Sequence, residues 1–155
     1  MLYSSPQLRA RDTAAAIVAV LGLELRLETN LAEYHLGAWE GRSYRELIGD
    51  HRLFERMRED PDFTPGGGES PRQVALRCAE ALRRIALAHP GEHVAVVSHG
   101  GALALGLGWL LDGTAGAWRR VMENCAITEL RLDPEPTLLR FNATAHLDEA
   151  EPSPY

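Results

Sequence analysis

The stretch Val94-Ala95-Val96-Val97-Ser98-His99-Gly100-Gly101 decides how the chain reads. From His93 to Val97 its nearly continuous apolar character predicts a strand covered on both faces. The run stops at a histidine, and two glycines open a leucine-rich helix from about Gly101 to Leu111. A side chain delivered to the carboxyl end of a strand, beside the N–H groups of a helix start, is where α/β domains hold anions. Glycine there lets a ligand approach the backbone closely. A lone histidine at a strand end more often bonds a carbonyl, but the glycine pair moves His99 toward an anion site.

Upstream, Ser70-Pro71-Arg72-Gln73 reads as a helix cap, and Val74, Cys78, Ala81, Leu82 and Ile85 mark an amphipathic helix ending at His89-Pro90-Gly91. Asp60 to Gly68 is a loop. Ser43-Tyr44-Arg45-Glu46 is a capping box that starts a helix running to about Arg58. Asn30 to Arg42 reads as a polar loop, and Leu25 and Leu27 as a short half-buried strand. Ser5-Pro6 predicts an N-cap and first helical position, with Leu8, Ala14, Ile17, Val18 and Leu21 at helical spacing and Gly22 as terminator. Met1-Leu2-Tyr3 reads as the stub of a strand.

Downstream, Ala126 to Leu132 and Thr137 to Asn142 are two further strands. This order predicts a three-layer α/β/α sandwich with a mostly parallel sheet. Residues 1–145 form one domain, and 146–155 a loose tail.

The 155 residues suffice for one packed core, with 45% hydrophobic and 25% charged residues. A net charge of −6 argues against a nucleic-acid binder. All 16 basic residues are arginine, which reads as composition bias. Cys78 and Cys125 lie far apart in apolar contexts, as buried free thiols of a cytoplasmic protein would. No run is long and apolar enough for a membrane span, and no histidine or cysteine spacing suggests a metal. No metal or other cofactor is expected.

The remaining candidates are polar residues near loops. Arg9, early in the first predicted helix with Thr13 one turn beyond, is suited to a bidentate grip on phosphate, and Arg11 competes with it. Glu33 and Glu40 flank an aromatic, glycine-containing loop, where a carboxyl group can act as a general acid or simply bond the loop backbone. Gly67-Gly68-Glu69-Ser70 suits a pocket rim, or only a flexible approach to the cap.

Taken in order, Tyr3 to Ala10 with Thr13-Ala14, Leu31 to Gly41, Gly67 to Ser70, Val96 to Gly101 and Glu123 to Ile127 resemble the histidine phosphatase superfamily, the phosphoglycerate-mutase-like group. The resemblance implies phosphoryl transfer through a phosphohistidine without metal. Arg9 then matches a phosphate-clamping arginine and Glu33 the proton donor to the leaving oxygen. His99 matches the second histidine, beside the nucleophile, with Gly100 next to it. Glu69 and Asn124 match pocket residues of some members.

One element of the family pattern is absent. The nucleophile of this family lies in an Arg-His-Gly tripeptide ending the N-terminal strand, and no such tripeptide occurs in the sequence. The expected sheet therefore lacks that strand, and a homodimer or swapped strand is one way to fill the gap. The resemblance implies a phosphohydrolase of small phosphomonoesters, with little turnover expected from this polypeptide alone. Two alternatives stand: a phosphoglycerate mutase, disfavoured by the short stretch between Trp39 and Gly66, and a non-catalytic phosphate-binding protein.

Overall fold

The centre of the sheet is set by the first residues of the chain. A computed structural model describes residues 1–115 and 122–147, and in it β1 (Leu2–Ser4) is the middle strand of three. It is followed by α1 (Leu8–Leu21) and β2 (Leu25–Leu27), which pairs parallel to β1. Then come α2 (Tyr44–Ile48), α3 (Leu53–Glu59) and α4 (Pro71–Ala88). Strand β3 (Ala95–Val97) pairs parallel to the other side of β1, so that Tyr3 stands opposite Val96. Helix α5 (Gly100–Asp112) follows, and β4 (Ile127–Arg131) and β5 (Thr137–Ala143) form an antiparallel pair.

Helices cover the parallel sheet on both sides, giving the α/β/α sandwich. Helix α1 contacts all three strands. Alternation along the strands sends Tyr3 and Val96 to the opposite face, where they join the core between α4 and α5 built on Cys78, Leu82, Ile85, Leu107 and Leu110. These helices approach closely because residue 106 is glycine: a Cβ there would stand 2.6 Å from Cys78 Sγ. A second core joins Leu47, Leu53 and Met57 of α2 and α3 to Tyr34, Val74, Ala102 and Leu105. No helix among the described residues is long and apolar enough to cross a membrane.

Four local expectations differ from the structure. Helix α1 starts at Leu8 with Gln7 as its uncapped N-cap, while the Ser5 hydroxyl oxygen takes the Gln7 N–H at 3.3 Å and the His99 ring at 2.8 Å. The helix expected from Ser43 to Arg58 is two, broken where Arg52 takes φ 47°. Strand β3 is only half-buried, since β1 is its one paired neighbour among the described residues. The segment expected to be loose from residue 146 begins inside a 3-10 turn at Ala145–Leu147, where His146 Nε2 lies 3.0 Å from the Cys125 carbonyl oxygen. The rest of that tail, 148–155, lies outside the described residues.

Candidate active site

The site forms where β1 and β3 end. Parallel pairing brings Ser4 beside Val97, so the residues that follow each strand emerge together. His99 is buried, and its Nε2 lies 2.8 Å from the buried Ser5 Oγ. Arg9, in the first turn of α1, donates from Nε to His99 Nδ1 at 3.2 Å. Since an arginine has no acceptor, Nδ1 must be the lone-pair nitrogen and Nε2 the N–H that donates to Ser5. Burial holds the His99 pKa below the ordinary 6.5; the nearby Glu33 charge pulls it up, and Arg9 and Arg77 push it down. His99 is therefore disposed to be neutral at rest.

Glu33 occupies the helix start that the sequence marks as an anion site. The first amides of a helix have no intrahelical partner, and here the first bond along α5 runs from Leu103 N–H to the His99 carbonyl. The Glu33 carboxylate accepts from Gly101 N–H at 3.2 Å and Ala102 N–H at 2.9 Å, and from its neighbour Tyr34 N–H at 3.0 Å. A Cβ at Gly101 would lie 2.8 Å from Glu33 Oε1, so that glycine is what admits the carboxylate. The positive end of the helix is thus answered from within the chain. Beside that helix start stand Arg9, His99 and the exposed Gly100.

Two residues without an assigned role in the sequence reading hold this arrangement. Gln7 Oε1 accepts both from Glu33 N–H at 2.9 Å and from Arg9 Nη2 at 3.3 Å, tying the acid to the arginine. Arg77, on α4, reaches under the loop that carries Glu33. Gln7 lies within the Tyr3 to Ala10 stretch, whereas Arg77 has no sequence signal beyond its place in a predicted helix.

Glu69 lies in the site's framework. Its carboxylate makes a two-pronged pair with Arg77, at 2.6 and 2.8 Å, and accepts from His35 N–H at 3.1 Å. Burial alone would raise its pKa, but the Arg77 bonds outweigh that and hold it below 4.5. Its loop packs backbone to backbone on the Glu33 loop. A Cβ on Gly68 would collide with the His35 carbonyl, and one on Gly37 with the Gly66 carbonyl. An open groove of about 560 Å³ lies beside this contact, lined by His35, Glu69, Gln73 and Arg77 among others.

Asn124 is exposed in the turn before β4; residue 122 of that segment places its carbonyl 3.7 Å from where a Gly100 Cβ would stand. Arg11 and Glu40 lie outside the cluster: Arg11 is exposed on α1, and Glu40 accepts from Leu36 N–H at 2.7 Å. The other histidines have separate surroundings. His51 stacks on Trp39, His89 bonds Tyr3 and Glu92, His93 precedes β3 at the end away from His99, and His35 is exposed in the Glu33 loop.

Comparison with known proteins points to one family. The sequence model of the histidine phosphatase superfamily (branch 1) matches residues 1–144. The bifunctional protein Rv2228c of Mycobacterium tuberculosis is 33% identical over 150 residues, 94% of this chain and 41% of that protein. The chain therefore spans about two fifths of the length of that relative. Among solved structures, mycobacterial glucosyl-3-phosphoglycerate phosphatase in complex with VO3 superposes with a TM-score of 0.81 at 31% identity, covering 93% of this chain and 76% of that one. A mutant phosphoserine phosphatase of Entamoeba histolytica, with one histidine changed to alanine and phosphoserine bound, gives a TM-score of 0.81 at 28% identity, covering 95% and 75%.

Proposed function

The chain belongs to the histidine phosphatase superfamily, and on that premise we propose that it binds a small phosphomonoester between Arg9, His99 and Gly100, as a phosphohydrolase of this family does. The observation that carries the reading is the Arg9–His99 contact beside a helix start already closed by Glu33. A phosphoryl group entering there meets a guanidinium fork and an imidazole, donors suited to its equatorial oxygens. The relatives named glucosyl-3-phosphoglycerate phosphatase and phosphoserine phosphatase support this substrate class.

Turnover is a separate matter. In-line transfer needs a nucleophile facing the phosphorus and a proton for the leaving oxygen. Glu33 is the proton donor of this proposal, but none of the other histidines lies against His99 or Arg9. The polypeptide is therefore a binder with little turnover of its own. The Entamoeba histolytica enzyme held with phosphoserine after loss of a histidine supports that separation of binding from chemistry.

The test uses the purified chain with phosphate, vanadate and p-nitrophenyl phosphate. The expected result is thermal stabilisation by phosphate and vanadate, lost in Arg9→Ala and His99→Ala, with phosphate release near background. Stabilisation that survives both substitutions would remove the binding reading. Robust hydrolysis abolished by His99→Ala would overturn the low turnover. A homodimer joined along the free edge of β2 or β3 is part of the same proposal, and sedimentation as a clean monomer would remove it.

A further inference from the structure

We infer that Arg77 is the positioning residue of the site, fixing the Glu33 carboxylate on the first turn of α5 through the backbone behind it. Every N–H of the guanidinium has a partner. Nε and one Nη2 hydrogen hold Glu69, the other Nη2 hydrogen meets the Glu33 carbonyl at 3.1 Å, and Nη1 meets the carbonyls of Asn30 and Ala32, each at 2.8 Å. Only 17% of the side chain is exposed. A guanidinium with five bonded hydrogens has none left for a substrate, so its effect on the site passes through the groups it holds.

Those groups define where Glu33 can be. Arg77 anchors the Glu33 carbonyl, and Gln7 anchors the Glu33 amide. The peptide groups on either side of its Cα are then fixed, and the short side chain reaches Gly101 and Ala102 from one position. Lysine could not substitute, because three donors on a flexible stem cannot span a carboxylate and three carbonyls at once.

This inference rests on the proposed role of Glu33, but its test does not need activity. The Gly101 and Ala102 amides bond to Glu33 and have no partner within α5, so their hydrogen exchange reports its position directly. In Arg77→Lys and Arg77→Met, exchange at these two amides should accelerate by about tenfold or more, as in Glu33→Ala, while Leu107 within the same helix is little changed. Glu69→Gln keeps the three carbonyl bonds and should leave both amides close to wild type.

Unchanged Gly101 and Ala102 exchange in Arg77→Lys would overturn the proposal. So would acceleration in step with Leu107, which marks a general structural brace, or an equal effect from Glu69→Gln. If Arg77→Met does not fold, Arg77→Lys decides. A wild-type chain that binds neither phosphate nor vanadate would sink the proposed function, yet the exchange pattern would still decide the role of Arg77.

Discussion

Arg9 and His99, 90 residues apart in sequence, are joined by a hydrogen bond. Arg9 Nε donates to His99 Nδ1, the nitrogen that would have to donate to a bound oxyanion. On the proposed binding mode, an anion that takes a hydrogen bond from His99 moves Arg9 Nε off the ring and puts a proton on Nδ1, so it is bound together with a proton. Sulfate, which does not titrate near neutrality, isolates this effect. Its affinity should rise as pH falls from about 8 to 6, by up to about tenfold per unit while one proton is taken up. Calorimetry in two buffers of different ionisation heat measures that uptake, and a flat profile would disprove the coupling.

The same ring contributes to stability in the opposite direction. The folded chain lowers the His99 pKa below 6.5, so the fold favours the neutral imidazole. That contribution is fully present above 6.5 and is lost as pH falls through the lower folded value. Melting temperature should decline on acidification from about pH 7 to 5, and His99→Gln should show a shallower decline. Equal slopes in the two proteins would assign the loss elsewhere.

Glycines at different places should respond differently to alanine. Gly68→Ala drives a Cβ into the His35 carbonyl and Gly37 amide, both backbone, and should cost about 3 kcal/mol. Gly22 ends α1 with φ 63° and has open space around it, so Gly22→Ala should cost only about 1 kcal/mol, the left-handed strain alone. Urea denaturation of both variants makes the comparison, and similar losses would contradict it.

The two cysteines should be separable by a thiol reagent. Cys78 is fully buried between α4 and α5, and burial pushes its pKa up to about 12; Cys125, expected to be buried as well, is exposed because it lies in the turn before β4. One thiol per chain should react with a disulfide reagent in buffer, and a second only in denaturant. Two fast thiols in the native protein would mean that the α4–α5 contact opens readily.

Legibility in the sequence followed the range of the interaction. The capping boxes at Ser43–Glu46 and Ser70–Gln73 and the Gly22 terminator are local chemistry, and each stands where its residues indicate. Ser5 carries the same local signature and does take the Gln7 N–H, but the helix begins only at Leu8, and the same oxygen serves His99 from far along the chain. The break before α3 was hidden because apolar spacing continues across Gly49 to Arg52. Arg77 was invisible for a different reason. Three of its four partners are backbone carbonyls 44 to 47 residues away, and a carbonyl has no letter in a sequence. The occupation of the α5 start by Glu33 was likewise beyond a reading that saw only glycines awaiting an anion.

The backbone-to-backbone seating of the Gly37 and Gly68 loops couples the two stretches that carry Glu33 and Glu69. The Arg77 fork spans both, holding the Glu69 carboxylate and the Glu33 carbonyl. A side chain grown at either glycine would therefore pry the loops apart and shift both carboxylates in one move.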